Sequence, residues 1–261
     1  MHDYNTHTPF PLTFTSFLLL MLKIIRIIFV LGYFFAIAFI GSLISLLRPF
    51  NPDNTRICGR LFSWGSLKIL GIKLKIENIE LLDHLTPCVV IANHQDNLDL
   101  FVHGGVIPKR TVSIGKKSLM YLPLFGQVYW LAGNIMIDRK KSKESINAMS
   151  ETSNALKNKN TSIWVFAEGT RNKGNNLLPF KKGAFHIAQQ ASVPILPICA
   201  SSYPKHINLN KLDAGTVILR VLPPVETKLI KAGHLDDLRT QLHAQMQATI
   251  DELDDRIQTR A

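Results

Sequence analysis

The longest feature of the hydrophobic pattern is a run of 21 residues, 27–47, that has no charged side chain and is flanked by Arg26 and Arg48. As a helix it would reach about 31 Å, close to the thickness of the hydrocarbon core of a bilayer. The run predicts a membrane helix that either spans the bilayer or enters one leaflet. A buried core helix is the alternative, although this run is long for one. A signal peptide is disfavoured, because no small-residue cleavage site follows.

Downstream of this run, short apolar stretches alternate with segments of helical periodicity. The sequence Arg-Pro-Phe-Asn-Pro-Asp-Asn at 48–54 is rich in turn-forming residues and marks a boundary. We therefore expect an N-terminal extension and membrane segment over residues 1–50 and one α/β domain over residues 51–261. Strands are predicted at residues 72–76, 88–92, 111–114, 135–138, 162–166, 195–200 and 216–222. Helices are predicted at residues 142–157, 183–191 and 235–257.

The charge balance adds a second property, since the chain is both basic and hydrophobic. Among 261 residues, 30 are Lys or Arg and 19 are Asp or Glu, while 46% are hydrophobic. This hydrophobic content excludes wholesale disorder. Eight basic side chains and one acidic one lie between residues 21 and 75, a charge of +7 around the membrane segment. The pattern favours an anionic membrane as partner over a nucleic acid.

Several common catalytic and ligand-binding motifs are missing from the sequence. No two glycines are two residues apart, which excludes a G-x-G-x-x-G dinucleotide loop, and G-x-S-x-G and H-E-x-x-H do not occur. The three cysteines, Cys58, Cys88 and Cys199, are scattered and form no C-x-x-C pair. A disulfide framework and a zinc ribbon are therefore disfavoured, and a reducing, cytosol-facing compartment fits best.

A histidine and an aspartate follow the predicted strand at 88–92, in the sequence Asn-His-Gln-Asp-Asn-Leu-Asp at 93–99. Loops after the strands of an α/β sheet line its ligand crevice. His94 and Asp99 can meet if His94 lies in the turn and Asp99 in the first helical turn, and a His held by a carboxylate is a general base. No Ser or Cys nucleophile lies beside them, so the substrate would supply the hydroxyl. A helix cap and a metal site of His94, Asp96 and Asp99 are the alternatives.

Basic and small residues follow three other predicted strands. Glu168, Gly169, Thr170 and Arg171 come after the strand at 162–166, where glycine admits a ligand and the other side chains offer donors to phosphate oxygens. Further basic side chains at strand ends are Arg139, Lys116 and Lys117. These residues could converge on one anion. The alternatives are a surface turn with an ion pair and ordinary solvated charges.

Four blocks in this order resemble the glycerophospholipid acyltransferase family, and within it the bacterial 1-acyl-sn-glycerol-3-phosphate acyltransferases. They are the H-x4-D block at 94–99, Gly-Asn-Ile-Met-Ile-Asp-Arg at 133–139, Phe-Ala-Glu-Gly-Thr-Arg at 166–171 and Val-Pro-Ile-Leu-Pro-Ile at 193–198. The resemblance begins at about Met21, an alternative start of translation. Ala167 replaces the proline usual in the third block, and Asp96 stands where many members carry Ser or Asn.

The resemblance implies a catalytic domain with a mixed, mostly parallel sheet flanked by helices, behind a membrane helix at 27–47. It implies that His94, oriented by Asp99, deprotonates the sn-2 hydroxyl of lysophosphatidic acid. That hydroxyl would then attack acyl-CoA or acyl-carrier protein to give phosphatidic acid. The acceptor phosphate would be held by Glu168, Gly169, Thr170, Arg171 and Arg139, assisted by Lys116 and Lys117.

The resemblance further implies no metal or redox cofactor and a bacterial inner membrane location, with the catalytic domain facing the cytoplasm. The alternatives are the same chemistry on glycerol 3-phosphate or another lysophospholipid and, more remotely, a non-catalytic lipid-binding membrane protein.

Overall fold

The structure of the chain, a computed structural model, describes residues 14–83, 87–138, 156, 159–228, 230 and 232–259. Arg139 lies outside these residues, and so does the predicted helix at 142–157 except for Leu156, which is buried in the core.

The N-terminal apolar segment forms one helix, α1 (Phe14–Leu47), which is longer than the membrane helix expected at 27–47. Its stretch Phe17–Leu47 contains an 18-residue window with a mean hydropathy of 2.6 and is long and apolar enough to cross a membrane. The charged residues within α1 do not interrupt it. Arg26 is buried and donates hydrogen bonds to the carbonyl oxygens of Leu209, Lys211 and Leu212 at 2.9, 2.5 and 2.6 Å. The guanidinium therefore joins α1 to a loop of the domain that follows.

Seven strands form one sheet, and they lie close to their predicted positions. In chain order they are β1 (Ile72–Glu77), β2 (Val89–Ala92), β3 (Thr111–Lys116), β4 (Ile135–Ile137), β5 (Ser162–Phe166), β6 (Ile195–Ala200) and β7 (Gly215–Val221). Their spatial order is β1-β7-β6-β2-β5-β3-β4. The five strands from β6 to β4 are parallel, and the β7–β1 pair runs the opposite way. The predicted mixed, mostly parallel sheet is confirmed.

Helices cover both faces of the sheet. After α1 they are α2 (Asp53–Leu70), α3 (Asp99–Gly104), α4 (Phe125–Leu131), α5 (Gly183–Ala191), α6 (Tyr203–His206) and α7 (Leu235–Gln258). One core contains the buried side chains of α2, α3 and α4 together with part of α1, and the other contains those of α5 and α7. The predictions at 183–191 and 235–257 correspond to α5 and α7.

Helix α2 did not stand out in the hydrophobic pattern, because small residues fill its buried face. A Cβ added to Gly59 would lie 2.5 Å from Ile107, and one added to Gly65 would lie 2.1 Å from the Tyr33 ring. Both glycines are therefore required by close packing. They allow α2 to approach α1 and α3 without a regular apolar stripe.

The parallel strands place the functional loops together. Because β6, β2, β5, β3 and β4 run in one direction, their carboxyl ends share one edge of the sheet. We call this the catalytic edge, because His94 and Asp99, the candidate catalytic pair, follow β2 there. Open α/β sheets bind ligands at such an edge.

Candidate active site

The turn after β2 brings His94 and Asp99 together at the catalytic edge. β2 ends at Ala92, so His94 lies in the turn, and Asp99 is the first residue of α3. This is the arrangement that lets the two side chains meet. The imidazole Nδ1 is hydrogen-bonded to Asp99 Oδ2. The His94 side chain is 18% exposed and that of Asp99 is 4% exposed. With Nδ1 bound to the carboxylate, Nε2 is the ring nitrogen that can accept a proton from a substrate.

Two further donors hold the Asp99 carboxylate. The backbone N–H of Gln95 donates to Oδ2 at 2.9 Å, and the Tyr203 hydroxyl donates to Oδ1. Tyr203 is fully buried, and burial raises the pKa of its phenol, with the negative charge of Asp99 adding to the rise. The phenol is therefore protonated at any physiological pH and remains a donor. With His94 on Oδ2, both carboxylate oxygens have fixed partners.

A second histidine, His103, lies next to the same carboxylate. Its Nε2 is 3.8 Å from Asp99 Oδ1, beyond hydrogen-bond distance, and neither ring nitrogen has a hydrogen-bond partner among the described residues. Burial lowers the pKa of His103 to about 4, against the opposing effect of Asp99. The ring is thus neutral at pH 7 and adds no positive charge beside the His94–Asp99 pair.

Strand β5 supplies an aromatic wall for the His94 imidazole. The His94 ring stacks on Phe166, with ring centres 4.2 Å apart and planes 14° from parallel. His103 packs edge-on against Phe166 and Trp164, in both cases at 5.5 Å. These contacts restrict rotation of His94 about its side-chain bonds, so its reactive nitrogen keeps one direction.

Glu168 braces the turn that carries His94. Its carboxylate is fully buried and accepts hydrogen bonds from the backbone N–H of His94 at 2.7 Å and of Leu178 at 2.9 Å. The amide nitrogen of Asn172 donates to both carboxylate oxygens, at 3.2 and 3.0 Å. Burial raises the pKa of Glu168, and these donors oppose the rise. Glu168 was expected among the phosphate-binding residues. The structure places its carboxylate in the interior, where these protein donors surround it.

Backbone hydrogen bonds join the loop after β5 to the loop after β2. The N–H of Asn172 donates to His94 O at 2.8 Å, and that of Lys173 donates to Gln95 O at 3.1 Å. On the other side, Asn93 exchanges two hydrogen bonds with the backbone of Ala200, at 2.8 and 2.9 Å. The turn that carries His94 is therefore held from both neighbouring strands.

Asp96 forms the polar turn just before α3. Its Oδ1 accepts the N–H of Leu98 at 2.6 Å, an Asx turn. This turn lies before α3, whose N-cap residue Leu98 makes no side-chain cap hydrogen bond, and Asp99 contacts His94. Burial raises the pKa of Asp96, and the positive charge of Arg171 opposes that rise. Arg171 thus lies within electrostatic range of the turn that carries His94.

The remaining predicted binding residues that the structure describes lie at the same edge. Thr170 and Arg171 are exposed in the loop after β5, and Gly169 has a φ of +72°, a conformation that favours glycine. Lys116 and Lys117 are exposed at the end of β3, which pairs with β5. Arg139 lies outside the described residues. Among the residues that are described, no group of three or more His, Cys, Asp or Glu side chains is arranged to hold a metal ion.

Sequence reasoning missed Tyr203, Asn93, Asn172 and His103. Asn93 had a recognisable signal, since it is the first polar residue after a buried strand. Tyr203 follows β6 by three residues, but its partner is 104 positions away. That contact depends on the pairing of β6 with β2, which the sequence does not specify.

Comparison with known proteins adds sequence and structural relatives. A family model described as Acyltransferase matches residues 73–201. The 1-acyl-sn-glycerol-3-phosphate acyltransferase of Haemophilus influenzae is 40% identical over 91% of this chain and 98% of its own length. The protein of the same name from Escherichia coli is 38% identical over 92% and 98%. The crystal structure of the 1-acyl-sn-glycerophosphate (LPA) acyltransferase PlsC from Thermotoga maritima has the same fold. Its TM-score is 0.72 at 23% identity, over 92% of this chain and 97% of that one.

Proposed function

The chain belongs to the acyltransferase family that includes the 1-acyl-sn-glycerol-3-phosphate acyltransferases, and on that premise we propose its reaction. It transfers a fatty acyl group from a thioester donor to the sn-2 hydroxyl of 1-acyl-sn-glycerol 3-phosphate, and the product is phosphatidic acid. The donor is acyl-CoA or acyl-carrier protein. The observation that carries the proposal is the His94–Asp99 pair at the catalytic edge, which has the geometry of a general base.

In the proposed mechanism, His94 Nε2 takes the proton from the sn-2 hydroxyl while Nδ1–H stays bonded to Asp99. The alkoxide oxygen attacks the thioester carbonyl carbon, and a tetrahedral oxyanion forms. Collapse of that intermediate breaks the C–S bond and forms the ester, and the thiolate takes the proton from His94. The base is regenerated, so protons and electrons balance. The carboxylate orients the ring and stabilises the transient imidazolium.

The acceptor phosphate is proposed to lie against Arg171 and Thr170, with Arg139, Lys116 and Lys117 adding positive charge. The exposure of Arg171 and its position at the catalytic edge support this role. A guanidinium can bind two phosphate oxygens at once, which fixes the orientation of the glycerol moiety. We place Glu168 among the positioning residues of His94, since its oxygens are buried among protein donors.

The apolar helix α1 is proposed to hold the enzyme at a membrane. Acceptor and product both carry long acyl chains, so their hydroxyl and phosphate groups are reached at the bilayer surface. Both acyl donors are soluble cytosolic molecules. The site therefore belongs on the cytoplasmic side, at the inner membrane of a bacterial cell.

The test is an acyl-transfer assay with purified protein in mixed micelles, with labelled acyl-CoA and acyl-carrier protein as donors. Lysophosphatidic acid, glycerol 3-phosphate and another lysophospholipid serve as acceptors, and products are identified as lipids. We expect labelled phosphatidic acid from the unchanged protein and none from His94→Ala or Asp99→Ala. His186→Ala, on an exposed helix position, is the matched control and should keep full activity. Near-normal activity in folded His94→Ala would refute the mechanism. If the unchanged protein acylated only another acceptor, the proposed substrate would be wrong.

A further inference from the structure

A short turn between β3 and α4 exposes an unusual run of apolar side chains. In residues 120–124, which we call the apolar turn, Met120 is 41% exposed, Tyr121 78%, Leu122 46% and Leu124 37%. Scattered apolar side chains are common on protein surfaces, but a contiguous group of this kind marks a contact with another body.

The apolar turn is a built structure. Leu124 has a φ of +60°, in a region that residues with a Cβ rarely adopt. A Cβ added to Gly126 would lie 2.2 Å from the carbonyl oxygen of Met120, so the turn packs directly on the first residues of α4. The N–H of Gly126 donates to Leu122 O at 2.8 Å, and that of Leu122 to Leu119 O at 3.1 Å. Strained backbone of this kind persists where the surroundings fix it, and it clusters at functional sites.

Helix α4 connects the apolar turn to α1. Phe125 of α4 stacks on Phe34 of α1, with ring centres 5.4 Å apart. At the other end of α4, Trp130 packs edge-on against Phe50 at 5.1 Å, and both of these rings are about half exposed. The turn and the apolar surface of α1 are thus fixed relative to each other through one short helix.

The charge around the apolar turn indicates the occupant. Residues 109–137 contain no acidic side chain, and Lys116 and Lys117 are exposed directly before the turn. Apolar side chains flanked by lysines fit a bilayer with anionic headgroups, in which the acyl chains take up the apolar groups and the phosphates pair with the ammonium groups. A protein that bound the apolar turn and the two lysines equally well would need a surface that is both apolar and acidic.

We propose that the apolar turn is a second bilayer contact, whose side chains enter the lipid next to the catalytic edge while α1 holds the protein at the membrane. The proposal rests on the proposed function, since a lipid acceptor is what gives the contact its use. The apolar turn begins four residues after the end of β3, so insertion of the turn would bring Lys116, Lys117 and the catalytic edge to the headgroup layer. The acceptor could then reach His94 without leaving the bilayer.

The direct test places an environment-sensitive fluorophore on the turn. Cys58, Cys88 and Cys199 are all buried, so a cysteine at an exposed position can be labelled selectively. We compare labelled Tyr121→Cys with labelled Ile79→Cys in full-length protein reconstituted in phosphatidylethanolamine–phosphatidylglycerol vesicles. Ile79 is also exposed, but it follows β1, which runs against β2, so it lies at the opposite edge of the sheet.

We expect a blue-shifted emission and quenching by brominated lipid for the label at position 121, and neither for the label at position 79. Equal behaviour of the two labels would overturn the proposal. Shielding of position 121 in detergent and vesicles alike, without quenching by brominated lipid, would assign the turn to a protein contact and would also overturn it.

The kinetic test uses the double variant Met120→Ser/Leu122→Ser. With the acceptor embedded in vesicles we expect a rate loss of about tenfold or more, because two apolar side chains no longer enter the lipid. With a short-chain acceptor dissolved as monomers the rate should be unchanged, and Ile79→Ser should be unchanged with both. Equal losses on both acceptors would refute a lipid contact. If the unchanged protein acylated neither acceptor, the proposed function would fail, while the fluorescence result would still decide the contact.

Discussion

Replacing Tyr203 by phenylalanine removes one oxygen atom from a fully buried ring and leaves its packing intact. The lost hydroxyl is the donor to Asp99 Oδ1. His103 does not replace it at its position in the structure, because its Nε2 is 3.8 Å from Asp99 Oδ1, beyond hydrogen-bond distance. Asp99 is itself only 3% exposed, so water has little access to the vacated oxygen. The variant therefore has a buried carboxylate oxygen without its donor.

A hydrogen bond to a charged group contributes about 1.5–3 kcal/mol, and a loss of that size in the transition state lowers kcat roughly 10- to 150-fold. The loss falls on kcat because Asp99 acts on the imidazole and does not contact the acceptor. We expect the KM values for donor and acceptor to stay within about twofold, since uniform binding is unchanged. Steady-state kinetics in mixed micelles measure both parameters.

Tyr129→Phe is the matched control, since it removes the same atom from a hydroxyl that is 2.7 Å from Ser113 Oγ, outside the His94–Asp99 network. We expect its kcat to match that of the unchanged protein. Thermal unfolding of both variants separates a catalytic loss from a folding loss. A Tyr203→Phe enzyme with full kcat would refute the view that the phenol positions Asp99. So would a loss that merely follows the unfolded fraction.

Three further changes test other parts of the site. Arg171→Ala should raise the KM for lysophosphatidic acid with a smaller effect on kcat, and an unchanged KM would remove its phosphate role. Glu168→Gln should lower the free energy of unfolding by about 1–3 kcal/mol, since an amide cannot accept all the N–H donors around it; an unchanged denaturation midpoint would contradict this. His103 has a lowered pKa of about 4 in the folded protein, so the unfolded chain binds its proton first as pH falls below about 6.5. Stability should therefore fall between pH 6.5 and 4, by about 3 kcal/mol at most, and His103→Gln should lack that part of the loss.

The sequence predicted the sheet well because its strands are short buried runs bounded by turns. β5 and β6 match their predicted bounds, and β1, β2 and β4 differ by one residue at one end. The sequence analysis missed helices α2 and α4. In α2, glycines interrupt the periodic stripe of apolar side chains, and α4 is too short to show such a stripe. Predicting α2 would require knowledge of the tertiary contacts of Gly59 and Gly65.

The candidate site was predictable in part, because a motif gives residue identity but not side-chain direction. Helix geometry predicts that His94 and Asp99 meet if His94 lies in the turn and Asp99 in the first helical turn. The structure has this arrangement. Glu168 lies next to Gly169 and Arg171 in sequence, yet its side chain points into the protein and that of Arg171 is exposed. The direction of each side chain becomes known only from the folded loop. The contact of Tyr203 with Asp99 depends on strand pairing in the same way.

The three hydrogen bonds from Arg26 to the loop at 209–212 bear on how the protein could be engineered. An unrelated apolar helix of equal length would keep the hydrophobicity of α1. It would lack the Arg26 guanidinium, which sets the rotation of α1 relative to the domain together with the Tyr33 hydroxyl on Leu61 O and the Phe34 ring on Phe125. Hydrophobicity and orientation are thus separable properties of α1, and the second depends on a few specific side chains along the helix.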